Sequence, residues 1–427
     1  MSFPQVVHVP ALTGTLANGG TVVLLDARIT YWTADQGHIT GSAALLGKGI
    51  TLPRRPPAPT TAEHASEVPR ISAVEFQVTG LDTISGARPI KQVQHPGLNP
   101  DNPRDLWSAT LDLEATSVWQ AECVSLAIRY DGRMRAMDAY EFRLAFSPVA
   151  KLTLEDSAPL RTVMDDFVEP FRRIASIATG KPQDLTYVAV ELEGRRGMYQ
   201  VFGTGITQRP FASSSDEIRA NTSAVRAKAD GISLLDMLLT WRRYTSEHHP
   251  LVETYGSMLH ATDQHPRSRF LLLIQALEGL HGHETRTEYA RRATDHRTKR
   301  DAVIAGLDTR ADRETMRFLK KYLSKTPPTS LESALKAAVS DAPVDTTDHL
   351  AQTALVTETQ SEPPCPTTME GALRVVRNNL AHGNRGYDAH KLDDVVRILE
   401  LIVRSHALRI LGCPDYVASR VFDGERH

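Results

Sequence analysis

The chain has 427 residues, a length that predicts two domains, because single hydrophobic cores stop growing at about 250–300 residues. Its content of 41% hydrophobic and 23% charged residues is typical of globular proteins and excludes collagen-like, wholly disordered and membrane-embedded classes. The 49 basic residues nearly balance the 51 acidic ones. A nucleic-acid partner would therefore need a local basic surface.

Residues 1–220 are predicted to form a β-rich domain with the antiparallel architecture of a sandwich or barrel, because short runs of β-branched and aromatic residues alternate with turn signals. Asp131-Gly132 has the composition of a hairpin turn. Two Pro-rich polar stretches, residues 53–69 and 95–105, are predicted loops. A helical spacing of apolar residues interrupts the strands at residues 159–178. The predicted strands are residues 21–32, 71–80, 106–113, 124–130, 185–192 and 198–202.

Residues 221–427 are predicted to form an all-α domain, so the whole chain belongs to the α+β class. The polar segment at residues 208–231 separates the two domains. Residues 341–367 are polar and are interpreted as a loop. The predicted helices are residues 233–245, 251–261, 267–281, 309–324, 330–340, 368–381 and 388–411.

Metal ligands and cofactors are not predicted. The three cysteines are widely separated and form no C-x-x-C pair, which disfavours both a disulfide framework and a structural zinc site. The pairs His248-His249 and His281-x-His283 lack further ligands at metal spacing and are interpreted as surface histidines. The first ten residues lack the pattern of a signal peptide, and no stretch is apolar enough for a membrane span. We therefore expect a cytoplasmic protein without membrane contact.

The helix at residues 368–381 carries the most informative motif. Thr367 and Glu370 have the spacing of a capping box at its start, and Gly383 suits the left-handed position after its end. One face of the helix is an apolar stripe that should pack in the core. This stripe consists of Met369, Leu373, Val376 and Leu380.

Three polar residues remain on the other side of this helix. Asn378 and His382 share a face because they are four residues apart, and the long side chain of Arg377 can reach toward them. A histidine can transfer a proton to or from ribose oxygens, and an arginine can stabilise charge on a phosphate. The trio therefore has the chemistry for RNA cleavage without a metal, with Asn378 orienting the histidine or the sugar.

The pattern Arg377-Asn378-x-x-x-His382 resembles the R-[polar]-x-x-x-H signature of HEPN domains, which are helical bundles found in many prokaryotic defence ribonucleases. Residues 269–281 (RFLLLIQALEGLH) resemble an earlier helix of the ApeA-like HEPN subfamily, whose members act in anti-phage defence. This resemblance implies that Arg377 and His382 are catalytic, that Asn378 supports them, and that Glu278 pairs with Arg377. It also implies a homodimer or higher even oligomer with a composite site. The β-rich domain would then sense a phage-derived trigger.

A local basic segment favours an RNA partner, tRNA among the candidates. Between residues 286 and 325 there are twelve basic and six acidic residues, a net charge of +6, which can supply sequence-independent affinity for nucleic acid. The predicted RNA-binding residues are Arg291, Arg292, Arg297, Lys299, Arg300, Lys320 and Lys321. The alternative is a non-catalytic protein whose HEPN-like bundle only dimerises or binds RNA or a nucleotide.

Overall fold

The structure is a computed structural model, and it describes residues 7–15, 21–33, 38–47, 69–94, 108–112, 115–136, 142–203, 205–207, 223–261, 263–307, 311–327, 330–363 and 366–423. It confirms the α+β class, with strands in the N-terminal region followed by helices. The chain divides into a sheet unit, Met1–Arg243 with Ile410–Glu425, and a helical unit, Tyr244–Arg409. The predicted domain boundary near residue 220 falls in a segment outside the described residues and stays a prediction.

Nine of the described strands form one sheet with the order β1-β2-β3-β11-β10-β4-β9-β8-β7, and β5 pairs with β6 in a second, two-stranded sheet. Neighbouring strands pair antiparallel, as expected. In place of the predicted sandwich or barrel, the described strands form one nine-stranded antiparallel sheet and a separate two-stranded sheet. The strands are β1 (Val7–Thr15), β2 (Thr21–Thr33), β3 (His38–Gly47), β4 (Arg70–Val78), β5 (Ile90–Gln94), β6 (Ser108–Leu111), β7 (Ser117–Ala121), β8 (Val124–Ala136), β9 (Phe142–Pro159), β10 (Leu185–Leu192) and β11 (Met198–Phe202).

Strand β4 lies in the middle of the large sheet and is buried along almost its whole length. A helical segment packs beside it, where the rings of Phe76 and Phe171 meet edge to face with their centroids 5.2 Å apart. This segment is the helix predicted at residues 159–178. It starts as helix α2 (Leu160–Val163), continues through a π-helical turn (Met164–Val168) and ends as α3 (Glu169–Thr179). The short helix α1 is Leu81–Ser85.

The predicted hairpin turn at Asp131-Gly132 is wrong. Strand β8 runs through both residues, and they pair across the sheet with Ser147 and Phe146 of β9. A Cβ atom on Gly132 would lie 3.1 Å from the Phe146 ring, so the glycine makes room for the aromatic side chain of its cross-strand partner. A cross-strand neighbour, which local sequence does not reveal, therefore explains the glycine.

The remaining helices follow the predicted order, with additions. The helices at Ala227–Asp230, Arg286–Leu307 and Asp415–Ser419 were not predicted, and the predicted loop at residues 341–367 is wrong in part because it contains the helices Thr347–Ala351 and Ala354–Ser361. Buried Leu350, Leu355 and Val356 anchor these short helices. The helices are α4 (Ala227–Asp230), α5 (Leu234–Ser246), α6 (Pro250–Met258), α7 (Pro266–Glu284), α8 (Arg286–Leu307), α9 (Arg313–Tyr322), α10 (Leu331–Ser340), α11 (Thr347–Ala351), α12 (Ala354–Ser361), α13 (Met369–His382), α14 (Ala389–Ile410) and α15 (Asp415–Ser419). Within the described part of the chain, none of them combines the length and the apolar character needed to cross a bilayer.

Helix α7 is central to the helical unit, since it packs against α6, α10 and α13. Its apolar residues Phe270, Leu273 and Leu277 are fully buried. Two polar contacts position it further. The Arg267 guanidinium donates to the Leu380 carbonyl oxygen at the end of α13, at 2.5 Å, and Arg269 pairs with Glu400 of α14. The Arg267 contact therefore holds α7 to the end of α13 that carries the motif.

Candidate functional site

Helix α13 presents the motif on a well-defined frame. The Thr368 hydroxyl accepts a hydrogen bond from the Gly371 N–H at 3.0 Å, so the N-cap lies one residue later than the predicted Thr367. Gly383 ends the helix with a φ of 71°, the left-handed conformation that glycine adopts without strain. The predicted apolar stripe is confirmed, because all four of its residues are buried. Burial of the stripe fixes which face of α13 remains available to a ligand.

Arg377 joins the motif to α7. Its Nη2 lies 3.3 Å from Oε2 of Glu278, and its Nη1 donates to Oδ1 of Asn378 at 3.2 Å. The side chains of Arg377 and Glu278 are 34% and 40% exposed, so this ion pair contributes little to stability. The structure thus brings together three of the four predicted catalytic residues, and it orients the guanidinium without burying it.

His382 is the last residue of α13 and is exposed. Its imidazole makes no hydrogen bond to the described part of the chain. It follows Asn378 by four residues, so the two side chains lie on one helix face about 6 Å apart along the axis. A histidine in this position can exchange protons with a ligand as well as with water.

Sequence reasoning missed a polar group next to the motif. The Asn379 amide donates to the Tyr387 hydroxyl at 2.8 Å, and the Arg385 guanidinium lies 4.9 Å from the centroid of the Tyr387 ring. Arg385 also pairs with Glu362, and this contact holds the pKa of the Glu362 carboxyl below its usual value. Together with Asn378, these residues line a cavity of about 310 Å³.

Two of these residues could have been noticed from the sequence. Asn379 is the second member of an Asn-Asn pair, and Tyr387 is an aromatic residue five positions after His382. Nothing in the sequence indicates Glu362, because it follows α12 and reaches the site only through the packing of α12 against α13. The cavity is therefore a product of tertiary structure.

The predicted RNA-binding residues lie on α8 and α9. No residue of α8 is buried, and the arginines and lysines of the set are exposed, with one exception. Arg292 lies near the Glu288 carboxylate, at 3.9 Å, and Lys321 lies 4.9 Å from the centroid of the Tyr322 ring. Their charges face solvent, where a polyanion can reach them.

Arg300 is the exception, since its side chain is only 11% exposed. Its Nε donates to the Leu323 carbonyl oxygen at 3.2 Å and its Nη2 to the Lys320 carbonyl oxygen at 3.3 Å. These carbonyl groups lie at the end of α9. Arg300 therefore holds α8 against α9, a structural task that sequence reasoning did not separate from RNA binding.

The two histidine pairs do not build a metal site. Among the described residues, no group of three or more His, Cys, Asp or Glu side chains has an arrangement that could hold a metal ion. His249 is not a surface residue as predicted: it is 1% exposed, and its ring lies 4.2 Å from that of His283, centroid to centroid. Burial and the neighbouring His283 lower the pKa of His249 to about 4.

No protein-family model matches the chain, and no curated protein and no solved structure matches it either. The resemblance to HEPN domains therefore depends on the motif residues and on their arrangement between α7 and α13.

Proposed function

We propose that this chain is a cytoplasmic, metal-independent endoribonuclease of the HEPN type that acts in anti-phage defence. The observation that carries the proposal is the arrangement of Arg377, which Glu278 and Asn378 orient, on the same short helix as the exposed His382. This arrangement combines a phosphate-binding guanidinium with an available acid–base group. The exposed basic residues of α8 and α9 provide attraction for the RNA backbone.

The proposed reaction is a transesterification. The ribose 2′-oxygen attacks the adjacent phosphorus, a histidine accepts the 2′-hydroxyl proton, and a second acid donates a proton to the departing 5′-oxygen. Arg377 stabilises the charge on the non-bridging phosphate oxygens. The products are a 2′,3′-cyclic phosphate and a 5′-hydroxyl end, and no oxidation or reduction takes place.

One copy of the motif supplies a single histidine, whereas the reaction uses both a proton acceptor and a proton donor. Two chains related by a two-fold axis would bring two copies of His382 and Arg377 to one phosphodiester. The exposed polar face of α13 is available for such a contact. Mixing the wild type with an excess of His382→Ala chains should lower the activity per wild-type chain, because each mixed dimer keeps only one of the two histidines. Unchanged activity per wild-type chain, or an active monomer, would contradict the composite site.

The direct test is cleavage of purified single-stranded RNA by the full-length chain in EDTA. We expect cyclic-phosphate and 5′-hydroxyl ends, and a loss of about 10²–10⁴-fold in rate for His382→Ala. His390→Ala is the matched control, because His390 is also exposed but lies outside the motif. Cleavage that requires Mg²⁺, or 3′-hydroxyl and 5′-phosphate ends, would refute the mechanism.

RNA binding without cleavage would instead support the non-catalytic alternative.

In the defence role, a phage-derived trigger would act through the sheet unit. The corresponding test is the phage yield from infected cells that carry the wild type or His382→Ala at equal protein levels. Equal phage yields from the two strains would exclude a defence role that depends on this motif.

A further inference from the structure

The cavity beside the motif has both polar and apolar walls, the apolar part including Pro363 and Val375. It is formed by the end of α12, by one side of α13 and by the residues that follow α13. Its volume is about 310 Å³, at the lower end of the range for small-molecule sites, roughly 300–1,000 Å³. This size suits one planar group rather than a folded segment or a duplex. The polar side chains that line it are Thr359, Glu362, Asn378, Asn379, Arg385 and Tyr387.

Existing contacts leave a defined set of donors and acceptors at this wall. Asn379 uses its amide N–H to donate to Tyr387, so the Asn379 carbonyl oxygen remains an acceptor and the Tyr387 O–H remains a donor. Asn378 uses its carbonyl oxygen to accept from Arg377, so its amide N–H groups remain donors. Side-chain amides and hydroxyls of this kind read the edges of unpaired nucleobases.

The charges favour a neutral ligand in the cavity. Nη1 of Arg385 donates to Oε2 of Glu362 and Nη2 donates to Oε1 at 3.3 Å, so the guanidinium fork is occupied and its charge is offset. Arg377 differs, because only its Nη2 pairs with a carboxylate oxygen, that of Glu278 at 3.3 Å, while its Nη1 donates to the uncharged Asn378 side chain, so its charge is offset less. A phosphate would therefore be favoured at Arg377, and an uncharged base in the cavity.

We infer that this cavity binds the base of a ribonucleotide next to the phosphodiester to be cleaved, and that it selects for particular bases in single-stranded RNA. The inference rests on the proposed function for the position of the scissile bond. Asn378 connects the two sites, since it lines the cavity, contacts Arg377 and shares a helix face with His382. Tyr387 and Asn379 act as specificity-determining residues.

The first experiment measures binding and does not need cleavage. Full-length His382→Ala protein is titrated calorimetrically with the four ribonucleoside 3′-monophosphates and with inorganic phosphate. We expect one or two bases to bind at least about 5-fold more tightly than the others. Tyr387→Phe in the same background should weaken the preferred ligand about 3- to 10-fold, the range for one lost hydrogen bond. Tyr416→Phe is the matched control, because its hydroxyl also bonds within the fold, at the Asp230 carbonyl oxygen.

Equal affinity for all four nucleotides would overturn the inference, as would competition by inorganic phosphate at the same concentration as the nucleotides. Tyr387→Phe could instead weaken the binding of every nucleotide by the same factor and lower the melting temperature. That result would show that Tyr387 merely anchors the loop after α13, and it would also overturn the inference.

The second experiment separates this inference from the proposed function. Wild-type protein is incubated with single-stranded RNA of random sequence, and the bases at the cut sites are determined. We expect a base preference that Tyr387→Phe relaxes and Tyr416→Phe retains. Cleavage with an unchanged preference in Tyr387→Phe would overturn the cavity inference alone. No cleavage by the wild type would refute the proposed ribonuclease, and the binding titration would then decide on the base site.

Discussion

Replacing Gly279 with alanine should destabilise the helical unit, whereas the same change at Gly282 should not. Both glycines lie in α7, Gly279 directly after Glu278 and Gly282 four residues after it. A Cβ atom on Gly279 would lie 2.4 Å from Cβ of Pro250 and 3.2 Å from its Cγ, while a Cβ atom on Gly282 would have no neighbour within 4 Å. Gly279 therefore permits the close approach of α6 to α7.

The expected magnitude follows from this contact. Carbon atoms pack at about 3.5–4.0 Å, so the added methyl group overlaps Pro250 by more than about 1 Å. The proline ring cannot rotate away, because it is part of the backbone at the first turn of α6. Such overpacking costs about 1–3 kcal/mol, and the higher helix propensity of alanine returns about 0.5–1 kcal/mol. The net loss for Gly279→Ala is up to about 2.5 kcal/mol, and Gly282→Ala should gain up to about 1 kcal/mol.

The assay is urea denaturation of the full-length proteins, followed by circular dichroism at 222 nm. Tryptophan fluorescence is unsuitable, since all four tryptophans precede Tyr244, where the helical unit begins. Gly279→Ala should unfold at a lower urea concentration than Gly282→Ala, with the wild type between them. Equal midpoints for the two variants would refute the packing of Pro250 against Gly279.

Three further predictions address individual side chains. Glu278→Gln should lower the rate of RNA cleavage by about 10- to 100-fold, because Arg377 loses its orienting partner. The free energy of unfolding should change by less than about 1 kcal/mol. Glu332→Gln breaks the similar pair with another arginine of α13 and should keep full activity. The pKa of His249 is lowered to about 4 in the folded chain, so the unfolded chain binds this proton at a higher pH than the folded chain does. The contribution of neutral His249 to the free energy of unfolding is therefore complete above about pH 6.5 and falls by roughly 2–3 kcal/mol toward pH 4.5. Urea midpoints measured at both pH values should show a smaller loss of stability in His249→Phe than in the wild type. Arg300→Gln should speed amide hydrogen exchange along α8 and α9, since it removes two hydrogen bonds between them, whereas Lys299→Gln should leave exchange unchanged.

Local sequence patterns gave correct predictions where the buried face belongs to a single helix or strand. The stripe of α13 and the residues of β10 and β11 were predicted from spacing alone, because side-chain periodicity reports which face of an element is buried. Prediction failed where a distant partner determines the conformation. Asp131-Gly132 has the composition of a turn, but the glycine lies within β8 and pairs with Phe146 of the neighbouring strand, whose ring leaves little space for a side chain there.

The residues of the candidate site also fall into those that local spacing groups and those that only tertiary packing brings together. Arg377, Asn378 and His382 are close in sequence, so their helical spacing was enough to group them. Glu278 was assigned through a family resemblance, and its contact with Arg377 depends on the packing of α7 against α13. Arg300 was grouped with the RNA-binding residues because its sequence neighbours are basic, and only the structure shows that it bonds the carbonyl groups at the end of α9.

The sequence by itself therefore determined the α+β class, most of the helices and strands, and the helix that carries the motif, because composition and periodicity are local properties of a chain. Tertiary structure alone decided the order of strands in the sheet, the ion pair that orients Arg377 and the cavity beside Tyr387. These features join residues tens to more than a hundred positions apart, and such contacts form only when separate elements bury their apolar faces against one another.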